Sequence, residues 1–187
     1  MILETAFGTL DRRLAVARPC PPGGTLLEPA AGDCLEMVRA YRADAATFAA
    51  RGDSVNALAA VTYAFGWLDA AMALGLARGG GPDCPPLTGV VPADRAGQLD
   101  EKSRRYAAML EGAIAAAAPA PDPASPARDA AEAVLRVARC CSILGRARLD
   151  SDQETALSLL SYGYGWLDAG VRVGLVAIAG DRSLFAV

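Results

Sequence analysis

Six stretches of the chain place apolar residues at helical spacing, and two of these are apolar almost all the way round. Leu3, Phe7, Leu10 and Leu14 follow one another at intervals of four, three and four residues, which predicts a short amphipathic helix over 3–17. Arg18-Pro19-Cys20-Pro21-Pro22-Gly23-Gly24 ends it. A second helix, about 28–50, turns Leu35, Val38, Tyr41, Ala45 and Phe48 inward and leaves Arg42 and Asp44 outside. Gly52 stops it, and Asp53 or Ser54 caps a third over about 54–77. Only Asn56, Thr62 and Asp69 interrupt that third helix, so it belongs at the centre of a bundle. Residues 78–92 are too rich in Gly and Pro to hold regular structure.

The plan then repeats. A fourth helix over about 93–118 sets Asp100-Glu101 against Arg104-Arg105 and buries Leu99, Tyr106, Met109 and Ile114. Pro119 to Pro126 is a stiff connector, and a fifth helix over about 127–148 turns Val134, Val137, Cys141 and Leu144 inward. Ser151-Asp-Gln-Glu154 reads as a capping box opening a sixth helix, about 152–179, after which Leu184 and Phe185 tuck against the bundle.

One phrase explains the repetition. Tyr63-Ala-Phe-Gly-Trp67-Leu-Asp69-Ala recurs as Tyr162-Gly-Tyr-Gly-Trp166-Leu-Asp168-Ala, an offset of 99 that holds without a gap from Asp53/Asp152 to Leu76/Leu175. Eleven of those 24 aligned pairs are identical, which marks an internal duplication. Phe7 and Tyr106 share the same offset and extend it to the first helix of each half. The expected architecture is all-α: two similar three-helix units, 1–78 and 93–187, joined by a linker over 79–92 and packed as a pseudo-twofold bundle.

Composition narrows the chemistry. Alanine, leucine and glycine dominate, and the formal charge is −3. Seventeen of the eighteen basic residues are arginine and Lys102 is the exception, a bias that points to codon usage before function. Histidine is absent, which removes the commonest general base and zinc ligand. Five cysteines without a Cys-x-x-Cys pair, and an opening that does not read as a secretion signal, predict reduced thiols in the cytoplasm. The two apolar helices are long enough to span a ~30 Å hydrocarbon core at ~1.5 Å per residue. Yet Asp69 lies near the middle of one, and Asp168 with Arg172 near the middle of the other, at ~2.5–3.5 kcal/mol each. A buried central helix is expected, not a membrane span.

On a helix Tyr63, Gly66, Trp67 and Ala70 share one stripe, as do Tyr162, Gly165, Trp166 and Ala169. Rings alternating with Gly and Ala let a neighbouring helix approach closely, so packing accounts for these residues. Asp69 and Asp168 are different, because a carboxylate inside an apolar helix is costly to bury unpaired. Arg172 stands one turn after Asp168, but its counterpart is Ala73, so a donor from another helix or the other half is the more general expectation. Tyr41, Tyr63, Tyr162 and the indole N–H groups are the candidates. Two readings follow: buried carboxylates that fix helix register, or two carboxylates and two phenols converging as a small-molecule or metal site. The arginines at 12, 13, 18, 136, 139, 146 and 148 raise RNA binding as a lesser alternative, against which stand the net negative charge and the lack of interleaved aromatics.

Gly52-Asp53-x-x-Asn56-Ala57-Leu58-Ala59-Ala60-x-x-Tyr63-Ala64-x-Gly66-Trp67-Leu68-Asp69-Ala70 resembles the signature of the family catalogued as domain of unknown function 357. Asp100-Glu101-Lys102-x-Arg104-x-Tyr106-x-x-Met109-Leu110-Glu111 resembles that family's first helix, and Tyr162 to Leu175 its last. The resemblance implies helical units in an archaeal, cytosolic setting, and no catalytic residues. A non-enzymatic scaffold or protein-interaction module, binding a protein partner or itself and needing no cofactor, is the function expected.

Overall fold

Why the chain stops and turns where it does is written in its glycines and prolines. The computed structural model describes residues 2–81 and 87–179. Cys84 and the tail carrying Leu184 and Phe185 lie outside the described residues. Six helices dominate: α1 (Ile2–Val16), α2 (Leu27–Ala50), α3 (Ser54–Ala73), α4 (Ala96–Ala116), α5 (Ala127–Arg146) and α6 (Gln153–Arg172). A 3-10 turn, Ala93–Arg95, leads into α4.

The last helix of each unit is shorter than its apolar run. Gly75 and Gly174 take φ of 70° and 76°. In the first unit the Leu76 N–H reaches the Ala71 carbonyl and the Gly75 N–H the Met72 carbonyl; Leu175 and Gly174 repeat this on Gly170 and Val171. These are Schellman closures. The residues freed beyond them form strands the helical pattern did not announce. β1 (Arg18–Pro19) pairs antiparallel with β2 (Ala77–Arg78), and β3 (Ala117–Pro119) with β4 (Val176–Ile178). Each short ribbon ties the end of a unit's first helix to the end of its third.

The two units are alike, but the register between them changes. Pro19 pairs with Ala77 and Pro119 with Val176, so the first strands are offset by 100 while the second keep 99. The same one-residue slip appears in the turn before α3 and α6. Asp53 N–H reaches five residues back to Phe48 and Asp152 four residues back to Arg148. The second turn has lost one residue, so Tyr106 stands at the level of Ala6 rather than Phe7. The paired buried leucines Leu10 and Leu110 agree with this register.

Two expected caps resolve differently. Asp53 caps α3 by accepting from the Asn56 N–H at 3.1 Å, and Asp152 caps α6 by accepting from Thr155 at 3.1 Å. The Ser151/Glu154 capping box does not form. Glu154 instead reaches across to the backbone N–H groups of Gly89, Val90 (2.8 Å) and Val91, pinning the linker to α6 through a carboxylate on three successive donors.

Every residue from Ala57 to Leu68 is buried, which puts α3 at the centre as its pattern requires. Its most extensive packing is against α6, and there the backbones nearly touch. A Cβ on Gly66 would fall 3.2 Å from the Gly165 Cα and overlap the Tyr162 carbonyl; one on Gly165 would fall 3.1 Å from the Gly66 Cα and 2.5 Å from the Tyr63 carbonyl. Each glycine thus meets the partner of its own neighbour, the mark of a local twofold. α4 starts well before the level of α1, and its first turns act as a clamp: Gln98 donates to Asp53 at 3.2 Å, and the Lys102 ammonium, at the level of Ile2, donates to Asn56. Two positions expected inside are not: Leu144 is 54% and Met109 36% exposed. Among the described residues no helix is long and apolar enough to cross a membrane.

The crossing yields a prediction. Gly66→Ala or Gly165→Ala forces a methyl against backbone that cannot rotate away, and each should destabilise the protein by about 1–3 kcal/mol. Gly32→Ala, at a position with open space around it, should not. Denaturant titration of the three variants checks this.

Candidate functional site

The site is a direct consequence of that glycine contact. Tyr63 lies three residues before Gly66 and Asp69 three after; Tyr162 and Asp168 flank Gly165 in the same way. With the two backbones touching, each phenol reaches past the other helix's glycine. The Tyr63 hydroxyl donates to Asp168 Oδ2, and the Tyr162 hydroxyl donates to Asp69 Oδ2 at 2.9 Å. Pairing 63 with 168 and 162 with 69 about a 66–165 contact is the pattern of two helices crossing head to tail. Each aspartate is therefore held by the tyrosine of the other repeat.

The tryptophans build the walls. Trp67 is fully buried and stands edge-on to Tyr63 with centroids 6.3 Å apart; Trp166 stands 6.5 Å from Tyr162. Tyr41 of α2 packs on Tyr63 at 4.3 Å, and at the equivalent place in α5 stands the smaller Cys141. Both indole N–H groups are buried without a hydrogen-bond partner among the described residues. All eight sequence candidates, Tyr63, Gly66, Trp67, Asp69, Tyr162, Gly165, Trp166 and Asp168, thus meet along one crossing.

One participant gave no motif. Arg13 of α1, 4% exposed, forms an ion pair with Asp69 Oδ1 while its guanidinium also lies 3.6 Å from the Met72 sulfur and 5.8 Å from the Phe65 ring. The signal was a charge out of place: Ala6, Leu10 and Arg13 form the inward stripe of α1, and a cation there calls for a buried anion. The second repeat has Ala113 at that level. Arg172 does not pair with Asp168. It crosses to Asp33 of α2 at 2.9 Å and links the repeats at the surface. Asp69 shares its charge with Arg13, and Asp168 is 1% exposed.

Burial and the nearby carboxylates set the protonation. Desolvation, then the charge of Asp168, raises Tyr63 well above the ordinary tyrosine value. Desolvation, then Asp69, does the same for Tyr162, and each Trp N–H lies near enough to its tyrosine to temper the rise without forming a hydrogen bond. Such phenols stay neutral and donate; they hold carboxylates and do not act as bases at neutral pH. Among the described residues no three His, Cys, Asp or Glu side chains group so as to hold a metal ion.

A pH dependence follows. Burial raises all five tyrosines, and it raises the Cys34 and Cys141 thiols from 9.0 to about 11. Each raised group is neutral in both states below its unfolded value, so its contribution is complete there. Above that value the unfolded chain ionises first and stability is lost. Stability should be flat through neutral pH and fall from about pH 9, steepening above ~10 as the tyrosines of the unfolded chain titrate. Absorbance titration at the phenolate band should show native tyrosines ionising only at higher pH than in denatured protein; an ordinary midpoint in the folded state would contradict the geometry.

The family model described as a protein of unknown function, DUF357, matches residues 7–77 and again 105–176. No curated protein and no solved structure matches the chain. The two matches cover most of the chain and each carries one Tyr-x-x-Gly-Trp-Leu-Asp phrase. The chain belongs to the DUF357 family and carries its domain twice in tandem.

Proposed function

We propose that this protein is a non-enzymatic helical scaffold or protein-interaction module whose two repeats, 1–78 and 93–187, are locked together by their phrase-bearing helices. One observation carries the reading: the reciprocal Tyr63–Asp168 and Tyr162–Asp69 hydrogen bonds across the α3–α6 crossing. The residues that looked most like chemistry are engaged in joining one repeat to the other. A single domain of this kind would bury the same seam by pairing with a second copy, and the tandem chain is the covalent form of that dimer. The competing reading, a small-molecule or metal site at the same four residues, needs an open polar cleft. Tyr63 and Asp168 lie in the core instead, at 7% and 1% exposure.

The test is stability. Asp168→Asn keeps the shape but weakens a buried bond to a charged acceptor, and should cost about 1–3 kcal/mol. Asp69→Asn also removes the ion pair to Arg13, and should cost about 3–5 kcal/mol. Denaturant titration of both variants and the double variant checks this. Stability that is unchanged or raised would show carboxylates kept at the fold's expense and would transfer support to the ligand-site reading.

A further inference from the structure

The duplication supplies an internal control for what the fold needs and what it does not. Between α4 and α5 lies an open groove of about 430 Å³, bordered by Glu111 and Ile114 on one side and Arg139, Ser142, Ile143 and Arg146 on the other. Its size is within the ~300–1,000 Å³ of ordinary binding clefts. Ile143 is 68% exposed and Leu144, beside it, 54%. At the 100-residue offset the same exposed positions of α2 are Ala43 and Asp44, so the three-helix unit folds without large apolar side chains there. Charge differs in part: Arg136 replaces Glu36 and Arg146 replaces Ala46, while Arg139 keeps the charge of Arg39 and Ser142 replaces Arg42. Arg146 pairs with Glu111, whereas Arg136 and Arg139 are exposed and make no ion pair among the described residues.

The second repeat therefore sets two large apolar side chains beside Arg136 and Arg139 on a helix face where the first has Ala43, Asp44 and Glu36 beside Arg39. A partner that complements both must itself mix apolar and acidic side chains. A nucleic acid offers no aliphatic face for Ile114 and Ile143. A helix laid between two helices does, with its apolar stripe at i, i+3, i+4 and i+7 facing down and carboxylates along its edge. We propose that the α4–α5 groove docks an acidic amphipathic helix of a protein partner, its apolar stripe against Ile114 and Ile143 and its carboxylates toward Arg136 and Arg139. This rests on the interaction-module reading and gives it a surface and a partner chemistry.

The experiment uses the full chain and a labelled synthetic peptide with leucines at helical spacing and flanking glutamates, followed by fluorescence anisotropy. Saturable binding is expected, weakening as salt is raised. The double variant Ile143→Ala/Leu144→Asp installs the first repeat's own residues and should fold normally while raising Kd by about 10-fold or more, mainly through faster dissociation. Arg136→Glu/Arg139→Glu should weaken binding too and remove most of its salt dependence. No saturable binding, equal binding of a scrambled peptide of the same composition, or an unchanged Kd in both double variants would overturn the proposal. Equal or tighter binding of a uridine oligonucleotide or of anionic vesicles would overturn it as well. None of these results touches the stability of the Asp69 and Asp168 variants, so the groove and the scaffold reading fail or stand separately.

Discussion

Two glycines in contact set the terms for everything else in this molecule. With Gly66 on Gly165 the central helices approach to backbone distance, closer than any side chain allows. A crossing that tight can hold polar groups only if their partners arrive from the opposite helix, because no space remains for water between them. The phenols of Tyr63 and Tyr162 meet that demand, since an aromatic ring is long and stiff enough to reach across and ends in a single donor. The aspartates are the acceptors that this geometry requires.

The duplicated halves have not stayed equivalent around this crossing. Asp69 holds a cation as well as a phenol. Asp168 accepts from the Tyr63 phenol within the core. Above the crossing, Gln98 and Lys102 in the first turns of α4 secure the start of α3. Below it, Glu154 fastens the linker. The first repeat supplies an arginine inward, and the second supplies straps outward. A symmetric dimer of identical chains could not divide the work in this way; a tandem chain can.

Much of the architecture was legible because it rests on local rules. The helices at 27–50, 54–73 and 127–146 follow apolar spacing, the first two closing at Gly52 and Gly75, and the repeat of Tyr63 to Ala70 at Tyr162 to Ala169 declared the duplication. The errors arose where a distant group outbid a local one. Glu154 fits a capping box by spacing, but three backbone donors of the linker lie within its reach. Arg172 is correctly spaced for Asp168, but the helix turns it outward to Asp33. The strands β1 to β4 are two or three residues long and exist only because the ends of separate helices come side by side.

The sequence by itself determined that there are two all-helical units, that the helices bearing the repeated phrase are central, and that Asp69 and Asp168 must be held by something. These follow from periodicity, from identity between the halves and from the cost of burying a charge, none of which needs coordinates. Only the tertiary structure decided what holds them. Which tyrosine reaches which aspartate depends on the sense in which two helices cross, and a stripe of Tyr, Gly and Trp is compatible with either sense. That Arg13 joins Asp69 depends on how α1 rotates onto α3, with Ala6 and Leu10 on the same inward stripe. Long-range contacts of this kind carry no spacing signature along the chain, so they become visible only when the elements are brought together.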